Sequence, residues 1–442
     1  MGTMNPSRLS GRAIRPLTTL DPAGPWDDLG WLDQAIGDAR VVAIGESAHF
    51  NREFYLLRHR LLRYLVERHG FSAYAMESGF PEGTLADAWV RGGDEQPGRV
   101  LATGITTLMG LCTEMRAQLE WMREHNFAAP DQVGFHGIDL PGSSVSLLPG
   151  LDAVTAYLAE ADPGRDAGPR LRETAASLAA VSVFSAHTAF SAYARLPRDE
   201  RDALTAGLAD LRTRMTARRI GYIRRTSETA YRRALRSLNL TIALDAMVRE
   251  ISRDPGGGLA ADIRDAAIAD TVEEILCAED RIVLGAHNNH VQRCPMAIPG
   301  VLPASTTMGM HLTARLGPAY LAIGTTSASG KTLALGSDLS TGEFFSDLEP
   351  PEPGSLDAFM AASHDTAFAV DLRQLSPTDT EAVRSVTRHR SGSFYGDLAP
   401  LDAFDLVVHI PRVTPAEPED SALGHSSAEV REAFARWQRT SR

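Results

Sequence analysis

Short apolar runs that end abruptly in polar residues constrain the fold of this chain more than any other feature of its sequence. Five such runs are residues 40–45 (RVVAIG), 71–78 (FSAYAMES), 132–140 (QVGFHGIDL), 281–290 (RIVLGAHNNH) and 319–327 (AYLAIGTTS). Their length and composition are typical of buried β-strands. Residues 404–410 (FDLVVHI) can supply one further strand.

Segments with helical periodicity separate these strands. In residues 51–69, leucine and phenylalanine recur at helical spacing, and Asn51 stands where an N-cap is expected. Residues 113–126 show a similar pattern. Strands alternating with helices predict an α/β layered fold, with a mostly parallel or mixed central sheet flanked by helices.

The pattern changes in residues 148–258, which show helical periodicity without a convincing strand. The breaks ADPGRDAGP and DPGGG lie near the two ends of this region. We predict an all-helical insertion that covers an active-site cleft as a lid. The predicted units are the first part of the α/β core (1–147), the insertion (148–258), the second part of the core (259–416) and a C-terminal tail (417–442), in which residues 428–437 can form a short helix.

Titratable residues stand at the ends of the predicted strands. They are Glu46, His49, Glu77, Asp139, His287 and His290. Parallel strands with right-handed crossovers point their carboxyl ends to one edge of the sheet, where ligands bind in open α/β sheets. We therefore expect these side chains to gather around one cleft.

Such a cluster is suited to proton transfer. We predict that His49 removes a proton from water or a hydroxyl, oriented by Glu77 or Glu46. His287 would protonate a leaving alcohol or hold an oxyanion, and Arg58 would reach the same edge as an anion clamp. The alternatives are structural: Glu46 as a cap for the following helix and Arg58 on a solvated helix face.

The remaining rim residues have similar alternatives. We place His290, Asp139 and Phe50 as substrate-binding residues. Asp139 is alternatively a turn residue before Pro141. Ser47 is a weak candidate nucleophile, since residues two apart near a strand end diverge in direction. No G-x-S-x-G nucleophile motif is present in the sequence.

Two cofactor classes need consideration. Glu46, His49, Glu77, His287 and His290 include ligand types for a divalent ion, but H-E-x-x-H is absent. We favour a site without a metal or other cofactor, and a divalent metal stays open as an alternative.

A phosphate-binding loop is not expected. The stretch GTTSASGKT has five residues between its glycines, whereas that motif needs four.

Charge and composition limit the partners. The formal net charge is −12 and the isoelectric point about 5.6, which disfavours binding to nucleic acid or to an anionic membrane. No run approaches the ~20 apolar residues of a membrane span, and no secretion signal is evident. Three scattered cysteines indicate reduced thiols. We expect a cytoplasmic protein, monomeric, with a small-molecule partner.

Residues 44–80 (IGESAHFNREFYLLRHRLLRYLVERHGFSAYAMESGF) resemble the erythromycin esterase family: Gly-Glu-x-x-His after a strand, an Arg-bearing helix, and a strand ending in Glu. IVLGAHNNHVQR (residues 282–293) is similar to the second histidine block of that family. Weaker matches to the family extend the resemblance over residues 41–416, among them FHGIDL, IRDAAIAD, TTMGMHL and FDLVVHIPRVTPA. The resemblance implies an α/β core with a deep cleft roofed by helices.

For function, the resemblance implies metal-independent hydrolysis of a macrolide lactone by a histidine-activated water, as in antibiotic resistance. His49 would be the general base, Glu46 and Glu77 would orient it or the water, and Arg58 and His287 would support the site. Two other hypotheses stay open. The same base could serve a biosynthetic transferase, cyclase or lyase, or the protein could sequester a ligand without turnover.

Overall fold

A central β-sheet organises the structure, a computed structural model that describes residues 8–164, 168–180, 182–300, 302–333 and 343–440. The strands within these residues, in chain order, are β1 Arg15–Pro16, β2 Val41–Glu46, β3 Ala73–Gly79, β4 Gly134–Asp139, β5 Ile282–His287, β6 Met296–Ile298, β7 Leu302–Ser305, β8 Tyr320–Leu333, β9 Phe345–Asp347, β10 Phe368–Asp371, β11 Arg388–Ser391, β12 Phe394–Asp397 and β13 Leu406–Val413.

The main sheet of the described residues has the order β4-β3-β5-β2-β8-β13-β10-β1. The first six of these strands are parallel to one another, whereas β10 pairs antiparallel with β13, and β1 pairs antiparallel with β10 at the edge of the sheet. The short β9 pairs with the end of β8, and β6-β7 and β11-β12 form two-stranded sheets. The prediction of a mostly parallel or mixed sheet is confirmed.

Burial on both faces explains the continuous apolar runs of these strands. Val42 and Ile44 of β2 pack into the core on one face, and Val41 and Ala43 pack into a second core on the other face. Side chains alternate across a strand, so a strand covered on both sides needs apolar residues at every position. The GTTSASGKT segment lies within β8, which confirms that it is not a phosphate-binding loop.

Helices cover both faces of the sheet. Those of the described residues are α1 Leu32–Ile36, α2 Arg52–His69, α3 Phe80–Val90, α4 Pro97–Gly104, α5 Thr113–Ala128, α6 Leu148–Ala161, α7 Pro169–Leu178, α8 Ala186–Arg195, α9 Arg198–Ala217, α10 Arg219–Arg225, α11 Glu228–Arg253, α12 Leu259–Ile275, α13 Asn288–Val291, α14 Met308–Leu316, α15 Leu356–Ala361, α16 Pro377–Arg384, α17 Pro400–Ala403, α18 Asp420–His425 and α19 Ala428–Thr440.

The helical insertion is formed by α6 to α11 and has an apolar core of its own. Leu151, Leu208 and Leu238, from three of its helices, are buried in that core. This layer of helices confirms the insertion in the predicted fold class. The exact unit boundaries stay a prediction.

The C-terminal segment is more structured than the predicted tail. It contains α18 and α19, and Val430, Ala433 and Phe434 of α19 are buried in the same core as the sheet. Their spacing of three and four residues places them on one helix face. The sequence signal for this helix is therefore an apolar stripe within an otherwise polar segment.

Two further findings concern the chain as a whole. Cys112, Cys277 and Cys294 are free thiols. In the part of the chain that the structure describes, no single helix is long and apolar enough to cross a membrane. One helix pair bent by 82°, formed by residues 170–178 and 183–195, meets the length and composition criteria jointly.

Candidate active site

Four neighbouring parallel strands each carry a titratable side chain at or near the carboxyl end. Glu46 ends β2, Glu77 lies near the end of β3, Asp139 ends β4 and His287 ends β5. These strands lie side by side in the order β4-β3-β5-β2, so their side chains meet at one edge of the sheet. This edge is the candidate active site.

Glu46 fixes the imidazole of His49. Nδ1–H of His49 donates to Oε1 of Glu46 at 2.6 Å, and Nη2 of Arg58 donates to Oε2 of the same carboxylate at 3.0 Å. A carboxylate only accepts hydrogen bonds, so the ring hydrogen is on Nδ1 and Nε2 is the basic nitrogen. Glu46 and Arg58 are buried, whereas the side chain of His49 is 24% exposed.

The backbone around His49 is shaped for this arrangement. Phe50, the next residue, has a φ of 63°, a left-handed conformation that costs energy in a residue other than glycine and is found at functional sites.

Arg58 reaches Glu46 past Gly285 of β5. A Cβ at Gly285 would lie 2.5 Å from Cδ of Arg58, so only glycine leaves room for the Arg58 side chain.

The environment of His49 makes it a stronger base. Burial lowers its pKa, but the hydrogen bond with Glu46 and the negative charges of Glu77 and Glu46 outweigh burial and raise the pKa above the ordinary 6.5. A base with a raised pKa accepts a proton from water more readily, once its own ring is deprotonated.

Glu77 connects the two sides of the site. Its Oε1 accepts from Nη2 of Arg264 at 3.1 Å and lies 3.3 Å from Nε2 of His290, while its Oε2 accepts the backbone N–H of His287 at 2.7 Å. Nε2 of His49 is 4.0 Å from Oε1 of Glu77. Burial raises the pKa of Glu77, but the charge and hydrogen bond of His290 and the charges of His49 and Arg264 lower it well below its ordinary value. Glu77 is therefore ionised at neutral pH.

His290 is a buried cation between two carboxylates. Its Nδ1 donates to Oδ1 of Asp265 at 2.5 Å, and its Nε2 faces Glu77. Burial lowers the pKa of His290, but the charges of Asp265 and Glu77 raise it to about 10. Oδ2 of Asp265 accepts the backbone N–H of Met308 at 3.1 Å, which fixes the carboxylate.

Arg264 connects Asp139, at the end of the edge strand β4, to Glu77. Its Nε donates to Oδ1 of Asp139 at 3.0 Å, and its Nη2 donates to Oδ2 at 2.6 Å and to Glu77. This two-pronged contact has the geometry that guanidinium and carboxylate groups favour. Asp139 thus orients Arg264, which in turn stabilises the charge on Glu77.

His287 is a neutral hydrogen-bond donor beside the base. Its Nδ1 accepts the backbone N–H of Asn289 at 3.1 Å, so the neutral ring carries its hydrogen on Nε2. Burial and the positive charge of His49 lower its pKa well below the ordinary value. Nε2 lies 3.4 Å from Oγ of Ser391, which also accepts from Nδ2 of Asn289 at 3.1 Å. The rings of His287 and His49 have centroids 5.1 Å apart.

The structure brings most of the predicted site residues into one connected network. Its members are Glu46, His49, Arg58, Glu77, Asp139, His287 and His290. Phe50 lies outside the network, in the wall of the adjacent pocket. The catalytic roles of these residues stay predictions.

Three of these residues are buried and have partners within the protein. Arg58, Asp139 and His290 contact Glu46, Arg264 and the Asp265–Glu77 pair, respectively. Arg58 as an anion clamp, and Asp139 and His290 as substrate-binding residues, stay predictions.

The sequence analysis missed Arg264, Asp265 and Ser391. Arg264 and Asp265 are adjacent on α12, within the quoted IRDAAIAD block, and Asp265 lies on the buried face of that helix with Ile268 and Val272. A charged residue at helical spacing from apolar residues is the signal that could have identified Asp265. Ser391 ends β11, a short strand whose sequence RHRS carries no comparable signal.

Within the described residues, no group of three or more His, Cys, Asp or Glu side chains is arranged to hold a metal ion. Both carboxylate oxygens of Glu46 and of Glu77 instead contact guanidinium, imidazole or backbone N–H groups. Ser47 is buried, and Thr325 and Gly392 hold its backbone through hydrogen bonds of 3.0 and 2.7 Å.

An apolar pocket of about 150 Å³ opens beside His49. Aromatic rings form much of its wall, namely Phe50, Phe184, Phe344, Phe345, Phe434 and Trp437. Phe184 belongs to the insertion, between α7 and α8, so the insertion borders the cleft. A larger depression of about 590 Å³ lies within the insertion, but no residue of the His49–Glu77 network lines it.

Comparison with known proteins identifies a matching family model, related sequences and related structures. Residues 66–413 match the family model described as erythromycin esterase. The chain is 31% identical over 414 residues to erythromycin esterase type II of Escherichia coli, covering 91% of this chain and 96% of that protein. Among solved structures, a Bacillus cereus protein superposes with a TM-score of 0.75 at 21% identity, covering 92% of this chain and 97% of that one. An erythromycin esterase variant in its open conformation gives a TM-score of 0.72 at 22% identity, with coverages of 91% and 98%.

Proposed function

This chain belongs to the erythromycin esterase family, and we propose that it hydrolyses an ester or macrolactone of a bulky secondary metabolite, using a water activated by His49. The family supports a hydrolase of the erythromycin esterase type. The observation that carries the mechanism is the position of Nε2 of His49. This nitrogen is 4.0 Å from Oε1 of the ionised Glu77, its ring centroid is 5.1 Å from that of the neutral His287, and His49 lines an apolar pocket.

The first step is removal of a proton from water. A water within hydrogen-bond reach of both Nε2 of His49 and Oε1 of Glu77 fits their 4.0 Å separation. Nε2 takes the proton while the water oxygen forms a bond to the carbonyl carbon. Glu46 stabilises the resulting imidazolium through its 2.6 Å contact with Nδ1, and Arg58 keeps Glu46 in place.

The second step is collapse of the tetrahedral intermediate. Nε2–H of the neutral His287, whose ring centroid is 5.1 Å from that of His49, stabilises the oxyanion. The bond between the carbonyl carbon and the alcohol oxygen then breaks, and the imidazolium of His49 returns its proton to that oxygen. The product is a carboxylic acid with a free hydroxyl, heavier than a lactone by one water.

We further propose that this chemistry needs no metal. Both oxygens of Glu46 and of Glu77 already have partners within the protein, so binding an ion would require breaking those contacts. Exhaustive dialysis against EDTA is expected to leave turnover unchanged. A loss that zinc or magnesium restores would contradict the proposal.

The direct test of function is turnover of a fourteen-membered macrolide followed by mass spectrometry. We expect a product heavier by one water, formed in proportion to enzyme concentration. Absence of any mass shift across fourteen- to sixteen-membered macrolides would remove this substrate class. A panel of simpler esters then shows whether hydrolysis itself is retained.

Replacing Glu46 by glutamine should change the pH profile as well as the rate. Glu46 raises the pKa of His49, whereas burial lowers it, so the loss of this charge lowers the pKa of His49. Activity depends on the deprotonated imidazole and rises with pH through that pKa. We therefore expect the acidic limb of kcat/KM to move to lower pH in Glu46→Gln, with a reduced plateau from the weaker base. An unshifted limb would show that another group controls it.

A further inference from the structure

The C-terminal helix α19 contributes part of the wall of the pocket beside His49. Phe434 and Trp437 of this helix line the pocket, which also contains His49 and Phe50. The residues that match the family model end at 413, whereas α19 is formed by Ala428–Thr440. This part of the wall therefore comes from a segment beyond the matched region.

Aromatic contacts hold the wall together. Phe344 lies at its centre, with its ring centroid 5.6 Å from that of Phe184, 5.1 Å from that of Phe434 and 5.8 Å from that of Trp437. The rings of Phe345 and Trp437 are 5.2 Å apart. Edge and stacked ring pairs at these distances stabilise one another beyond their apolar burial. The wall thus joins the insertion, the region before β9 and α19 into one surface.

A polar contact joins α19 to the insertion. Oε2 of Glu429 accepts hydrogen bonds from Oγ of Ser182 at 2.6 Å and from Oγ of Ser185 at 3.1 Å. These serines flank Val183 and Phe184, both of which line the pocket. Glu429 therefore connects α19 to the segment of the insertion that carries Val183 and Phe184.

The lining is almost free of charge. Among the described lining residues, His49 is the one that can carry a positive charge, and the other polar side-chain atoms are those of Thr107, Cys112 and the indole N–H of Trp437. Burial of Cys112 also raises the pKa of its thiol, which keeps it neutral. A charged substituent would lose hydration here without gaining a partner, whereas alkyl groups would be buried favourably.

We propose that Phe434 and Trp437 of α19 determine substrate selection at this site. They favour esters with an uncharged, alkyl-rich face next to the scissile carbonyl. This inference rests on the proposed hydrolase function and assigns the apolar face of its substrate to the wall that α19 completes. The pocket makes the same contacts before and during bond breaking, so its loss raises KM for bulky substrates and leaves kcat nearly unchanged.

The experiment compares Trp437→Ala with two further variants in the full chain. Trp437 is half-buried, so its replacement is compatible with folding, and Phe434→Leu shortens the neighbouring ring while keeping an apolar side chain. Arg439→Ala alters an exposed residue of the same helix and is the control. The substrates are erythromycin and phenyl acetate, an ester too small to span the wall.

For Trp437→Ala we expect KM for erythromycin to rise by about 10-fold, while kcat for erythromycin and kcat/KM for phenyl acetate stay near wild type. Phe434→Leu should give a smaller rise and Arg439→Ala none. An unchanged KM, or equal losses for both esters, would overturn the proposal.

A binding measurement separates this proposal from the proposed reaction. If the wild type hydrolyses neither ester, hydrolysis of these two substrates is excluded, and erythromycin binding by calorimetry still tests the wall. About 10-fold weaker binding to Trp437→Ala than to wild type supports the assignment. Equal affinities, or no binding to either protein, contradict it.

Discussion

Replacing His49 by alanine is expected to lower kcat for ester or lactone opening by a factor on the order of 10²–10⁴, with little effect on folding. Among the described residues at this edge, His49 is the imidazole that lines the pocket, and Glu46 holds its Nδ1–H so that the basic Nε2 is left for the substrate water. His287 cannot replace it, because its pKa is well below the ordinary value and its Nδ1 accepts a backbone hydrogen bond. The measurement is kcat and KM for the substrate identified by mass spectrometry, with circular dichroism to confirm folding.

The control for this prediction is His425→Ala, which alters an exposed histidine of α18. It should behave like wild type. The same variants distinguish an enzyme from a ligand-sequestering protein. In an enzyme, His49→Ala should lose turnover and keep its affinity for the ligand. A ligand-sequestering protein has no turnover to lose. If turnover survives in His49→Ala at near wild-type rate, another group is the base and the mechanism is wrong.

Replacing Glu77 by glutamine should reduce both stability and activity. Glutamine keeps the size of the side chain but removes the charge that compensates His290 and Arg264. His290 keeps its contact with Asp265, and Arg264 keeps its contact with Asp139, so the cost is the loss of charge-assisted hydrogen bonds, on the order of 1.5–3 kcal/mol. We expect a loss of that size in the free energy of unfolding by urea, and a fall in kcat on the order of 10²-fold, since Glu77 also orients the water.

The pH dependence of this effect follows from the direction of the pKa shift. The pKa of Glu77 is well below its ordinary 4.5 in the folded protein, so its contribution to stability is full above pH 4.5 and declines as the pH falls toward the folded-state pKa. The difference in unfolding free energy between wild type and Glu77→Gln should therefore narrow on acidification. Glu67→Gln, at an exposed ion pair with Arg63, should change stability by less than about 1 kcal/mol. A similarly small loss in Glu77→Gln would contradict the network described above.

The sequence predicted the parts of the site that depend on strand ends. The ends of the continuous apolar runs and the common direction of parallel strands place Glu46, Glu77, Asp139 and His287 at one edge, whatever the details of packing. The orientation of Arg58 was not predictable in the same way. It depends on the rotation of α2 and on the absence of a side chain at Gly285, which together bring the guanidinium behind Glu46.

The features that the sequence did not reveal depend on packing between distant segments. Arg264 and Asp265 reach the site because α12 lies across the carboxyl edge with one face toward Glu77 and His290. The aromatic wall combines rings from four separate parts of the chain, and no local period links Phe50, Phe184, Phe344 and Trp437. Such arrangements depend on tertiary contacts, which neither spacing nor composition determines.

The most direct test of the central claim is hydrolysis in water enriched in ¹⁸O, with wild type and His49→Ala analysed side by side. The account predicts that wild type places one solvent oxygen in the new carboxyl group of the product and that His49→Ala forms almost no product. A product of the wild-type reaction that contains no solvent oxygen would contradict water activation by His49 and would favour transfer, cyclisation or elimination at the same site.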